Sequence, residues 1–243
     1  MKNQFFGDKR DYFKFSLLEH LLQRTRWLTQ LTCVWMLTQA TTNTHGNLSL
    51  VASRGYEDLA AFLQNARATG LRDVREISRY YSSRCQFNSY GDDPRIPFGA
   101  ARDLYFQRIP TQFLQSALVF VDPDNGLEPA SGPSSAHLRF AEARALYSRL
   151  DAGSILVIYQ HLPRRSPAVF WPEVGGKIAG ALESDAFYVA ERDVALYVIP
   201  KSGVASEVRA TLENYVRLET IDGVPSSRVV GLSTPRPAQY ISA

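Results

Sequence analysis

The sequence predicts an α/β fold with a mostly parallel central sheet, helices on both faces and a terminal antiparallel hairpin. Three observations carry that prediction. Apolar runs at Leu31–Leu37, Leu118–Val121 and Ser154–Tyr159 read as strands buried on both faces, as parallel strands are. Stretches of helical periodicity separate these runs. Ala186–Ala190 and Val194–Ile199 flank the short connector Glu191-Arg192-Asp193, which reads as a hairpin.

In chain order, Asp11–Gln23 places Phe13, Leu17, Leu18, Leu21 and Leu22 at helical spacing, with Asp8 as N-cap. The strand Leu31–Leu37 follows, then a polar stretch from Thr38 to Asn47. Tyr56–Ala68 is a second helix stopped by Gly70, and Asp73–Tyr81 is ambiguous. Residues 82–100 form a turn-rich irregular segment. Ala101–Gln115 is partly helical despite Pro110 and leads into the strand that ends at Asp122. Glu128–Ser135, rich in Pro, Gly and Ser, reads as a flexible loop, and Ala136–Leu150 as a helix closed by Asp151-Ala152-Gly153. Lys177–Ser184 and Ser206–Val216 are further helices around the hairpin, and an irregular tail covers about 218–243. With no internal repeat and no composition break, residues 1–243 are expected to form a single domain.

Composition narrows the class. A hydrophobic fraction of 45% supports a packed core and excludes a disordered chain. No apolar run approaches the ~20 residues that span a bilayer. The N-terminus turns to charge after two aromatics, so no signal peptide is expected and the location reads as cytoplasmic. Cys33 and Cys85 make neither a disulfide framework nor a metal-spaced cluster. The 27 basic residues divide into 22 Arg and 5 Lys, a bias that suits phosphate contact but also follows from a GC-rich genome. Arg72, Arg75, Arg79 and Arg84 alternate with Tyr80, Tyr81 and Phe87, a mixture able to track nucleic acid, although an amphipathic helix with a solvated face is the simpler reading.

Chemistry concentrates where Leu118-Val-Phe-Val-Asp122 runs into Pro123-Asp124-Asn125-Gly126. Ligands of open α/β sheets bind beyond the carboxyl ends of strands, and a second acid two residues on exceeds what a turn needs. The strand ending at Tyr159 runs into Gln160, His161, Leu162, Pro163, Arg164 and Arg165. His161 is a candidate base or hydrogen-bonding group, and the two arginines suit phosphate.

The segment Phe6-Gly7-Asp8-Lys9-Arg10-Asp11-Tyr12-Phe13-Lys14, with the Asp122-Pro123-Asp124-Asn125 turn and the order of elements over about Phe5–Tyr197, resembles the Rossmann-like S-adenosylmethionine-dependent methyltransferases. More narrowly it is similar to the bacterial 23S ribosomal RNA adenine-N6 methyltransferases of the RlmJ type. That resemblance implies S-adenosylmethionine as cofactor and a nucleic-acid base as target. It assigns catalysis to the turn Asp122, Pro123, Asp124 and Asn125, and positioning of cofactor or substrate to Asp11 and Lys14; from its own place at a strand end His161 joins the catalytic candidates, and Thr38, which opens the turn after the first strand, joins the cofactor contacts. Tyr159, Arg164 and Arg165 become substrate contacts, with Tyr12 and Phe13 as further stacking candidates. The chain departs from the family at three places: Asn125 replaces an aromatic, Asp124 replaces a proline, and the turn Thr38–Asn47 holds one glycine where three are expected.

Two other classes stay open. Asp122, Asp124 and Glu128 are hard oxygen ligands for Mg2+ or Mn2+ in a phosphohydrolase or nuclease, with His161 as base. The Asp122-Pro123-Asp124 strand end is also similar to the nucleophile strand of haloacid-dehalogenase-like phosphatases, but no acidic pair follows it. A non-catalytic nucleic-acid-binding module on the same fold is the third class.

Overall fold

The computed structural model describes residues 2–39, 48–53, 55–93, 95, 98–99, 102–201, 203–218 and 228–234. Seven strands form one sheet: β1 (Gln30–Met36), β2 (Gln86–Tyr90), β3 (Ala117–Pro123), β4 (Ile155–His161), β5 (Ala186–Glu191), β6 (Val194–Pro200) and β7 (Arg228–Ser233). Their order is β2-β1-β3-β4-β6-β5-β7. The first four are mutually parallel, while β6 runs antiparallel to both β4 and β5, and β7 antiparallel to β5. Five strands therefore point one way and two the other. The largely parallel sheet, the hairpin and the adjacency of the strands ending at Asp122 and Tyr159 all match the sequence reading.

Side-chain alternation divides the core into two layers. Leu118 and Phe120 of β3, with Ile155 and Val157 of β4, pack against α1 (Lys9–Arg24), α2 (Glu57–Ala68), α3 (Ile77–Tyr81) and α7 (Ala205–Leu218). Val119, Val121, Leu156 and Ile158 face the other way, toward α5 (Phe140–Ser148), α6 (Pro167–Leu182) and the segment around Phe106 and Leu114. The short α4 (Arg102–Tyr105) lies in the connection before β3. The chain leaves β1 for β2 on one side, then crosses back to β3 on the other. The carboxyl ends of β1 and β3 thus flank the topological switch point, where ligands of such sheets bind.

Several boundaries differ from the sequence reading, each for a local reason. β2 lies inside the segment expected to be irregular. Its Asn88 side chain donates to Gln30 and Thr32 on β1, so polar side chains that obscured the strand pattern are what join it. α5 starts at Phe140, because Leu138 instead bridges Leu127 and donates to the Gly126 carbonyl at 2.8 Å. The loop expected to be flexible is accordingly tied at both ends. α6 begins ten residues before Lys177 and carries Pro172 within it. β7 falls in the tail expected to be irregular, while residues 219–227 and 235–243 lie outside the described residues.

Gly126 makes the turn after β3 possible. Its φ is +79°, and a Cβ there would stand 2.5 Å from the Gln160 side-chain amide. That amide cannot yield cheaply, because its oxygen accepts from Leu127 N–H at 2.7 Å and its nitrogen donates to the His161 carbonyl at 2.7 Å. Gly126→Ala is expected to cost about 2 kcal/mol or more, from left-handed backbone and a displaced Gln160 together, read by denaturant unfolding. A loss below half a kcal/mol would mean that the turn relaxes freely.

Candidate functional site

The site starts from the alternation that builds the core. Asp122 continues the α1-facing row of Leu118 and Phe120, and Tyr159 and His161 continue that of Ile155 and Val157. Opposite them, Asp8 caps α1 by accepting from the backbone N–H groups of Arg10 and Asp11 at 2.8 and 3.1 Å. The cap places the first turns of α1 over the ends of β3 and β4. Lys14 then reaches down between two carboxylates, with Nζ 2.9 Å from Asp122 Oδ2 and 3.1 Å from Asp11 Oδ1, and 4.1 Å from the centre of the Tyr159 ring. Lys14, Asp11 and Asp122 are all almost fully buried.

Their electrostatics follow from burial and neighbours. Burial works against the Lys14 charge, but Asp122 and Asp11 more than compensate and raise its pKa well above that of an ordinary lysine. Asp11 is pushed up to about 7, chiefly by burial and partly by Asp8 and Asp122, with Lys14 opposing. His161 is pushed down to about 3 by burial and by the cations Arg10 and Lys14, so it is neutral at physiological pH. Asp124 behaves oppositely to Asp11. Burial disfavours its charge, yet surrounding positive charge, an ion pair with Lys2 and a 2.7 Å hydrogen bond from Thr38 Oγ1 lower it to about 2.

These residues open onto a cleft of about 660 Å³, within the range of small-molecule sites. Asp11, Lys14, Asp122, Pro123, Asp124, Asn125, Tyr159, His161 and Arg165 all line it. Thr38 reaches it only through Asp124, and Arg164 is exposed outside it. Glu128 lines the cleft but accepts from Phe140 N–H at 2.8 Å, which caps α5. The cleft also takes in residues the sequence reading missed: Lys2 and Phe5 from the N-terminal segment, Arg10, Phe140, and Phe170, Glu173 and Lys177 of α6. No local pattern marks the first three, whose place in the cleft follows from the path of the chain across the strand ends.

Three assignments need correction. Tyr159 was a stacking candidate, but it is buried and carries Lys14 against its ring, which makes it a support for the lysine. Tyr12 and Phe13 are core residues. The Tyr12 oxygen accepts from Ser53 N–H, and Phe13 lies under the Arg228 guanidinium. The Arg72–Phe87 cluster is no stacking track, because Tyr80 and Tyr81 point into the core, and Arg75, Arg79 and Arg84 pair with Asp73, Glu76 and Glu19. His45 and the glycine-poor turn 40–47 lie outside the described residues. Among the described residues, no three His, Cys, Asp or Glu side chains converge as a metal site. Asp122, Asp124 and Glu128 each serve a different partner.

One oxygen is left over. Asp122 Oδ2 is held by Lys14, but Oδ1, fully buried, has no hydrogen-bond partner among the described residues. An unmade hydrogen bond of this kind costs about 1–3 kcal/mol. Asp122 is among the residues that line the cleft. Compared with known proteins, the chain matches no family model and no curated sequence, so the geometry of the site carries its reading.

Lys14→Met should destabilise the protein by about 3–5 kcal/mol, because two buried carboxylates lose their cation. Asp11 gives a pH test. Its folded pKa is raised above the unfolded value, so the folded state holds the extra proton between pH 3.8 and about 7, and stability falls as pH rises through that window. His161, pushed down, acts in the opposite direction below its ordinary 6.5. Asp11→Asn should therefore gain stability relative to the parent between pH 4 and 7, in unfolding curves taken across that range. An identical pH dependence in both proteins would refute the assignment.

Proposed function

We propose that this chain is a divergent S-adenosylmethionine-dependent methyltransferase acting on a nitrogen of a nucleic-acid base, with Asp122 as the residue that meets the target. The observation that carries the reading is the unpartnered oxygen of Asp122, a residue that lines the cleft over the carboxyl ends of β3 and β4. Three features support it: the antiparallel β5–β6 hairpin beside β4, the N-terminal lysine that reaches the acid, and the Asp-Pro turn after β3. The cleft has the size for a cofactor-like ligand. Phe5, Phe140 and Phe170 offer apolar walls for flat rings, and Asp11 and Lys14, the residues the resemblance assigns to cofactor contact, also line the cleft.

When bound, the cofactor supplies an electrophilic methyl group; the protein's task is to orient the nucleophile. Asp122 Oδ1 accepts a hydrogen bond from the target N–H and draws the nitrogen lone pair into line. Lys14 fixes the same carboxylate through Oδ2, so the acceptor does not rotate away. Neutral His161 stands at the end of the neighbouring strand as a second hydrogen-bonding group. The turn at Asp124 is pinned by Lys2 and Thr38, which keeps Asn125 at the rim.

Calorimetry of the purified chain with S-adenosylmethionine should detect binding. Transfer of a labelled methyl group to RNA or DNA should fall roughly 10²-fold or more in Asp122→Asn, with cofactor affinity changed less than tenfold. EDTA should leave transfer untouched. Binding of Mg2+ or Mn2+ without binding of the cofactor would replace this reading with the phosphohydrolase one.

A further inference from the structure

The loop between the turn after β3 and α5 is rooted at its base and free at its tip. At the base, Asn125 N–H donates to the Ala136 carbonyl at 3.1 Å and Glu128 N–H to the Leu138 carbonyl at 2.9 Å. Arg102 of α4 donates at 2.8 Å to the carbonyls of Ser135 and His137, and its charge is spent on Glu142 of α5 at 2.6 Å. The tip differs. Among the described residues, no hydrogen bond or ion pair holds residues 129–133, all of them exposed, and Pro129 and Ala130 belong to the cleft wall. Base and tip meet at one clasp. His137 also lines the cleft, and its Nδ1 accepts from Ser134 N–H at 3.0 Å, with the Ser134 hydroxyl 2.9 Å from the same nitrogen.

We infer that residues 129–135 are a lid on the cleft, fastened by the Ser134–His137 clasp and released when the His137 ring takes up a proton. The inference rests on the reading of the cleft as a ligand site and adds how access to it is regulated. An amide N–H bonds to an imidazole nitrogen only while that nitrogen keeps its lone pair, so the clasp needs neutral His137 with its proton on Nε2. A second proton puts a donor on Nδ1, facing the Ser134 N–H. The hydroxyl can turn and accept, but the amide cannot, so the hold on the backbone is lost. The two other bonds to Ser134, from His137 N–H and Ala136 N–H, are longer, at 3.2 and 3.3 Å. The base stays in place, because none of its bonds involves the ring. Burial, the largest influence, and Arg102 from α4 oppose a charged ring, while Glu128 and Asp124 from the turn after β3 favour it; the outcome is a pKa below the ordinary 6.5 of histidine. The lid is therefore fastened at neutral pH and released in acid.

The test uses the whole chain and two reporters native to it. Deuterium exchange of the Ser134 amide, corrected for the intrinsic effect of pH, reports the clasp. The rate at which diethylpyrocarbonate modifies His161 reports access to the cleft, because that ring lines it and, with a pKa of about 3, stays neutral and reactive across the range used. From about pH 8 to about pH 4.5 the protection of the Ser134 amide should fall roughly tenfold, and His161 should be modified several-fold faster. His137→Asn keeps an acceptor for Ser134 N–H but does not titrate, so both readings should hold their neutral-pH values throughout. His137→Ala has no acceptor and should read as released at both ends of the range, with thermal midpoints showing that the variants are folded. A pH response that survives in His137→Asn, no response in the parent, or amide exchange that changes while His161 modification does not would each overturn the inference. Neither reading involves S-adenosylmethionine, so failure of the methyltransferase proposal would be seen separately.

Discussion

The position of α1 over the sheet depends on one buried ion pair, Lys14 with Asp122. Neither partner has water to fall back on, so each charge is tolerable only while the other is within reach. Burying such a pair adds little net stability, but it discriminates strongly between arrangements. A shift of α1 by one turn would strand a lysine among apolar strands and leave Asp122 and Asp11 uncompensated. The pair therefore acts as a register pin, and the cleft inherits its precision. The Asp8 cap works in the same direction, because it fixes where the helix begins and hence which turn reaches β3.

A second ionic tie holds the other side of the helix. Lys9 pairs with Glu191 at 2.6 Å at the end of β5, and Arg228 of β7 reaches the same carboxylate at 2.8 Å. Arg228 also donates to the Tyr215 hydroxyl at 2.6 Å and lies over the rings of Phe13 and Tyr215. This joins the last described strand to the first helix, through charge and through aromatic faces. Lys9, Arg10 and Lys14 thus dock on β5, the β5–β6 hairpin and β3 respectively. The basic face of α1 is spent on the sheet.

That expenditure explains how much the sequence disclosed. The apolar runs of β1, β3 and β4 are buried on both faces and were plain, as was the hairpin with its short connector. Asp122 was legible because an acid ending such a run has few structural reasons to be there, and its joining with Lys14 and His161 follows from alternation along neighbouring strands. β7 was hidden because Gly231 interrupts Arg228–Ser233. A glycine inside a strand reads as a turn, yet a Cβ there would stand 2.1 Å from the Tyr188 ring, so the close approach of β5 requires it. Pro172 hid the first half of α6 in the same way, by reading as a helix breaker when the helix continues through it. Arg10 and Phe5 were out of reach for a different reason. Their membership of the cleft comes from the path of the chain across the strand ends, which no local pattern encodes.

The two acids of the Asp-Pro-Asp turn show how nearby carboxylates separate in role. Pro123 ends β3, so the chain leaves the sheet between Asp122 and Asp124, and the two side chains meet different surroundings. Asp124 goes to Lys2 and Thr38, joining the N-terminal segment and the end of β1 to the turn; its low pKa keeps that joint ionic at any ordinary pH. Asp122 goes to Lys14 and keeps one oxygen unpaired. A divalent cation needs several oxygens aimed at a common centre, and here the aims diverge. What divergence leaves is a single carboxylate at the end of β3, fixed by a lysine through one oxygen. A carboxylate held this way keeps one fixed orientation, which separates its part from that of the ionic joint two residues on.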